Sequence, residues 1–131
     1  MLKVRKVDPL NPDYSIIREA SEYVKRGSLV AFPTETVYGL GADTFNGEAC
    51  LNIFRAKGRP PDNPLIVHIS GINELDRVAI DIPEIAISVA RKAWPGPLTL
   101  ILPKSPDVLW RSRLGVIPWP LGHQPTQWLS N

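Results

Sequence analysis

Apolar side chains recur along this chain in two rhythms that alternate with each other. Residues 2–7, LKVRKV, switch between apolar and basic positions, the period of a half-exposed strand. After the turn-rich DPLNPDYS, Ile16, Ile17, Ala20, Tyr23 and Val24 repeat at helical spacing, which predicts a helix from Tyr14 to a stop at Gly27. SLVAFP, 28–33, is predicted as a buried strand, and TETVYGLGAD, 34–43, as a loop and turn because it offers few core residues. In NGEACLNIFRAKG, 46–58, a helix places Ala49, Ile53 and Phe54 on one side and ends at Gly58. PLIVHI, 64–69, is a predicted strand and INELDRVA, 72–79, a short helix. IPEIAISVARKAW, 82–94, is a longer helix with Pro83 near its start and Ile85, Ala86, Val89, Ala90 and Ala93 as one stripe. PLTLILP, 97–103, is the last clear strand. Strands alternating with helices predict an α/β fold.

Beyond Pro103 the pattern stops. Three of the four tryptophans lie there, at 110, 119 and 128, with prolines at 106, 118, 120 and 125 and no acid after Asp107. No run keeps a period of 2 or 3.6, so residues 105–131 are expected to pack poorly and to form an atypical tail on a domain of residues 1–104. Without further strands, LTLIL is expected to leave a sheet edge and apolar surface uncovered.

Composition narrows the class. A 44% hydrophobic fraction supports a packed core, and a net charge of +2 gives no bulk case for coating nucleic acid. The single cysteine, Cys50, excludes an internal disulfide framework and reads as a small buried apolar residue. There is no membrane-length apolar run, and MLKVRKVDP is too charged for a signal peptide. A cytoplasmic protein is expected.

Three groups of residues carry candidate chemistry. In KGRPPDNP, Lys57 and Arg59 sit two apart, so an extended loop would turn both to one side. Pro60, Pro61 and Pro64 stiffen that loop, which suits a polyanion such as triphosphate, and Asn63 adds an amide donor. The alternative is a solvated helix end, where basic residues and prolines are common. In FPTETVYGLG, Thr34 and Thr36 share one side of an extended backbone, while Gly39 and Gly41 permit close approach or positive φ. That is a wall for a small polar ligand, or else a strand edge with an ordinary turn. His68 in LIVHIS is either a site residue or a core histidine with one satisfied hydrogen bond. No zinc spacing, nucleophile elbow or GxxxxGK[ST] phosphate loop is present.

FPTETVYGLG, AKGRPPDNPLIVHI and WPGPLTLILP, in that order, resemble the YrdC-like family of threonylcarbamoyl-AMP synthases, with the resemblance covering about residues 10 to 104. It implies an open twisted mixed sheet with flanking helices, here incomplete at the C-terminus. It implies that L-threonine, bicarbonate and ATP, with Mg²⁺, give threonylcarbamoyl-AMP and pyrophosphate for modification of a tRNA adenosine. On this resemblance Lys57, Arg59 and Asn63 bind ATP, and Thr34, Thr36 and His68 contact threonine. No catalytic residue or metal ligand is assigned. Downstream threonylcarbamoyl-transferring proteins are the implied partners. The family continues past this point with a segment supplying a Ser and an Asn to the nucleotide site. None is found here, so the tail reads as a truncation or shifted frame and the 131 residues alone are expected to make little product. Two rivals stand beside this. One is a double-stranded RNA-binding module or inactive fragment of the same family, with tRNA or double-stranded RNA as partner. The other, the related domain of hydrogenase-maturing carbamoyltransferases, would carry upstream cysteines that are absent here.

Overall fold

The computed structural model describes residues 2–8, 10–34, 37–61 and 65–109, together with the backbone of 114–118. Helix α1, Tyr14–Lys25, starts where the Asp13 carboxylate accepts the Ser15 N–H at 2.8 Å and buries Ile17. Strands β1, Val30–Phe32, and β2, Gly39–Gly41, form an antiparallel ribbon with Phe32 opposite Gly39 and Val30 opposite Gly41. Helix α2, Gly47–Lys57, is capped by the Asn46 side chain, which accepts from the Ala49 N–H at 3.0 Å. It buries Ala49, Cys50, Ile53 and Phe54, the face its spacing predicts. Strand β3, Ile66–Ile69, is followed by a 3₁₀ turn, Ile72–Glu74, and the short helix α3, Leu75–Val78. Helix α4, Glu84–Ala93, and strands β4, Leu100–Leu102, and β5, Leu114–Pro118, complete the order.

The main sheet is mixed. Its order is β3-β5-β4, with β3 parallel to β5 and β4 antiparallel to it. Register partners share a face, so Val67, Ile69, Leu100 and Leu102 point to one side. There they meet Leu75, Val78, Ala79, Ala86 and Val108 in a single cluster, with Phe45, Ile82 and Trp94 at its margin. Each valine, leucine or isoleucine side chain there contributes about 1.5–3 kcal/mol when fully buried, which fixes β3 by its odd-numbered positions. The α/β class and the open mixed sheet with flanking helices are as expected.

Several local expectations are overturned. Residues 2–8 form no strand; they run extended along α1, where Lys3 Nζ and Arg5 Nε both reach the Glu19 carboxylate, the latter at 3.0 Å. Alternation alone does not supply a neighbouring strand to pair with. Residues 30–32 are half-exposed rather than buried, because β1 belongs to a two-stranded ribbon. The stretch expected to be all loop contains β2. The α4 stripe is split: Ala86 and Ala90 are buried, but Ile85 is 69% exposed.

The largest difference follows Pro103. Instead of loose chain, residues 103–109 are tied down: Ile80 N–H donates to Pro103 O at 2.9 Å and Ser105 N–H to Val78 O at 2.8 Å. Ser105 and Val108 are buried. β5 then enters between β3 and β4, so LTLIL has a strand partner on one side, while among the described residues β4 still ends the sheet and Ile101 is exposed, as expected. Its sequence, LGVIP, is too short and too glycine- and proline-marked to register as a period.

Candidate functional site

The cation pair sits at the end of α2. Gly58 takes φ +60°, and its N–H donates to Arg55 O at 3.2 Å while the Arg59 N–H donates to Phe54 O at 3.0 Å. These two bonds are a Schellman turn, the backbone solution for ending a helix on glycine. Lys57 is therefore the last helical residue and Arg59 the second residue beyond it, rather than two neighbours on an extended loop. Local helix chemistry thus places them, as the helix-end alternative anticipated. The position held by Arg59 ordinarily packs an apolar side chain back onto the helix; here it carries an exposed guanidinium. Arg55, one turn earlier, pairs with Glu48 and reaches Asn52 Oδ1 at 2.9 Å. Neither Lys57 nor Arg59 makes an ion pair among the described residues. Both cations thus face solvent just before β3.

His68 lies on β3 with its side chain on the face opposite Val67 and Ile69. It is half-buried and is not part of the hydrophobic cluster. The sheet face it shares is open: Ile66 is 51% and Ile101 73% exposed, with Gly115 between them in register. The His68 ring meets Phe32 of β1 edge-on, with centroids 6.4 Å apart and planes at 74°. That contact ties the β1–β2 ribbon to the site face. Phe32 is the site-face residue that sequence reasoning missed. Its signal was present in the two glycines spaced by two, which leave one side of β2 without side chains.

Thr34 has a defined local task. Its Oγ1 donates to Val37 O and accepts from Val37 N–H at 3.1 Å, so one hydroxyl engages both backbone polar groups of Val37. Thr36 and Asn63, both expected at the site, lie outside the described residues. Cys50 is buried at 3% exposure, with Sγ donating to Asp43 O at 3.4 Å. Burial, and next the nearby Asp43 charge, push its thiol pKa up, which suits a core residue rather than a nucleophile. Among the described residues no helix is long and apolar enough to cross a membrane.

A family model for Sua5, YciO and YrdC, described as telomere recombination, matches residues 22–117. The chain belongs to this family. The Sua5–YciO–YrdC match runs past residue 104 to 117, so it takes in all but the last residue of β5, beyond the limit set by the motifs alone. A threonylcarbamoyl-AMP synthase of Pyrococcus abyssi (strain GE5 / Orsay) is 57% identical over 89 residues, covering 68% of this chain and 26% of that protein. One from Bacillus subtilis (strain 168) is 49% identical over 102 residues, covering 78% of this chain and 30% of that protein. A crystal structure of P. abyssi Sua5 complexed with L-threonine is similar with a TM-score of 0.77 and 47% identity, over 82% of this chain and 33% of that one. The chain thus spans between a quarter and a third of the length of these relatives.

Proposed function

We propose that this chain carries the ATP- and threonine-binding face of an L-threonylcarbamoyladenylate synthase, a nucleotidyltransferase. The observation that carries the reading is the pair of exposed cations, Lys57 at the end of α2 and Arg59 two residues on, lying in sequence between that helix and the strand that presents His68. The similarity to a Sua5 that was solved with L-threonine supports the same substrate here.

On this reading the threonine amine takes up CO₂ from bicarbonate, with loss of water, to form a carbamate. A carbamate oxygen attacks the α-phosphorus of ATP, the bond to the β-phosphate oxygen breaks, and pyrophosphate leaves with that electron pair. Little covalent work falls to the protein, so positioning and charge neutralisation supply the acceleration. Lys57 and Arg59 hold phosphate oxygens, with Asn63 as a further nucleotide contact. Arg59 suits a bidentate grip and Lys57 a point charge. Mg²⁺ brought with ATP would share the phosphate charge beside Lys57 and Arg59. His68 and Thr36 orient threonine, with Thr34 as a further contact beside them. The product is consumed by threonylcarbamoyl transfer to tRNA, and the cytoplasm is the compartment that fits one buried thiol.

The test is a chimera in which residues 22–117 replace the matching stretch of the P. abyssi relative. Pyrophosphate release that requires both L-threonine and bicarbonate, and is lost with Arg59→Ala, is expected. A folded chimera that binds neither ATP nor L-threonine contradicts the reading.

A further inference from the structure

The two glycines of β2 have no conformational need to be glycine. Neither Gly39 nor Gly41 has positive φ; among the described glycines that property belongs to Gly27 and Gly58. What they share is the Phe32 ring. A Cβ placed on Gly39 would stand 2.6 Å from Cε2 and 2.7 Å from Cζ of Phe32, and one on Gly41 would stand 2.8 Å from Cε1. One ring therefore covers both bare backbone positions, reaching from its register partner Gly39 diagonally to Gly41. An aromatic laid over a cross-strand glycine is a known way of stabilising a glycine in a sheet. Here the same ring meets His68 edge-on at 6.4 Å.

We propose that Phe32 is the positioning residue for His68, and that Gly39 and Gly41 are glycines because their bare backbone seats the Phe32 ring. This rests on the reading of His68 as a ligand-facing residue. The reasoning is steric. At separations below 3 Å an alanine methyl and the ring cannot coexist, and the mobile party is the ring, which can rotate about its side-chain torsions. Turning it away from the glycines removes the edge that His68 packs against. The imidazole, whose Nδ1 is shielded from solvent, then loses one of the contacts that set its rotamer, and its nitrogens can turn in more than one direction. The spacing of the glycines thus acts on His68 through Phe32, without touching ligand.

Nuclear magnetic resonance of the 131-residue protein tests this, with His68 distinguished from His123, the other histidine, by substitution of the latter. In the unsubstituted chain, Phe32 ring protons should give Overhauser contacts both to the Hα atoms of Gly39 and Gly41 and to the His68 ring. Gly39→Ala and Gly41→Ala should shift the His68 ring resonances and leave His123 in place. Phe32→Leu should do the same. The double variant Gly39→Ala/Phe32→Leu should match Phe32→Leu alone, because the methyl acts only by evicting the ring. Missing contacts in the unsubstituted chain, a glycine variant with unchanged His68 signals, or a double variant whose shift is the sum of its parts would each overturn the proposal. The Overhauser contacts decide it even if a glycine variant fails to fold. An absent response of His68 to L-threonine, with those contacts intact, counts against its ligand role and leaves the seat standing.

Discussion

Replacing Gly58 with alanine isolates the turn that sets Lys57 and Arg59 apart. The residue has φ +60°, and a Cβ there would meet no heavy atom within 4 Å. Steric clash with neighbours is therefore absent, and the whole penalty is that of a β-carbon in left-handed backbone, about 1–2 kcal/mol. Alanine also narrows the unfolded ensemble, which offsets about 0.4–1 kcal/mol. The expected net loss is about 1 kcal/mol, or a fall in Tm of roughly 3–5 °C for a chain of this size. Gly58→Asn should lose less, because asparagine tolerates this conformation. Urea unfolding of the two variants beside the parent gives both values. If Gly58→Ala equals or exceeds the parent in stability, or falls no further than Gly58→Asn, the helix does not end on a left-handed glycine and the placement of Arg59 is wrong.

Arg59→Ala and Lys57→Ala should each weaken ATP binding by about 1.5–3 kcal/mol, roughly 10- to 150-fold, in calorimetry with Mg²⁺ present; unchanged affinity in both would remove the phosphate assignment. Val108→Ala should cost about 2 kcal/mol of unfolding free energy, given its 1% exposure; a negligible loss would mean that residues 103–109 are not part of the core. The Glu19 carboxyl is held below its ordinary pKa of 4.5, first by Lys3 and then by Arg5. A depressed pKa stabilises the folded form above the ordinary value and ceases to do so as pH falls through the lowered one. Amide protection in residues 2–8, relative to the intrinsic exchange rate, should therefore fall as pH drops through the lowered Glu19 value and also with added salt, and Glu19→Gln should remove that pH dependence.

What the sequence made legible follows from how local the forces are. α2 could be read in full, from the Asn46 cap through the Ala49–Ile53–Phe54 face to the Gly58 stop, because helix caps and helical periodicity are written within a dozen residues. β3 was readable because Val67 and Ile69 alternate with His68 over one strand. β5 was not, since LGVIP acquires its meaning only from β3 and β4 on either side of it. The N-terminal segment shows the converse: LKVRKV has the right alternation, yet Lys3 and Arg5 are taken up by Glu19 and, among the described residues, no strand pairs with it. The candidate residues Lys57, Arg59 and His68 were singled out by residue type and motif. The Schellman geometry between the two cations followed from Gly58, whereas the contact between Phe32 and His68 joins residues 36 apart in sequence and no local pattern encodes it.

The central claim is that the face bearing His68 receives threonine. Its most direct measurement is a titration of the 131-residue protein with L-threonine, followed at the His68 ring resonances, with His123 and a His68→Ala variant as references. Substrates half-saturate enzymes at about 1 µM–1 mM, so the titration should span that range. The account predicts a saturable displacement of the His68 signals, no change at His123, and loss of the calorimetric signal in His68→Ala with Tm nearly unaltered. His68 resonances that stay fixed throughout the titration, or a His68→Ala variant with a large fall in Tm and unchanged L-threonine binding, would contradict it and return His68 to the core.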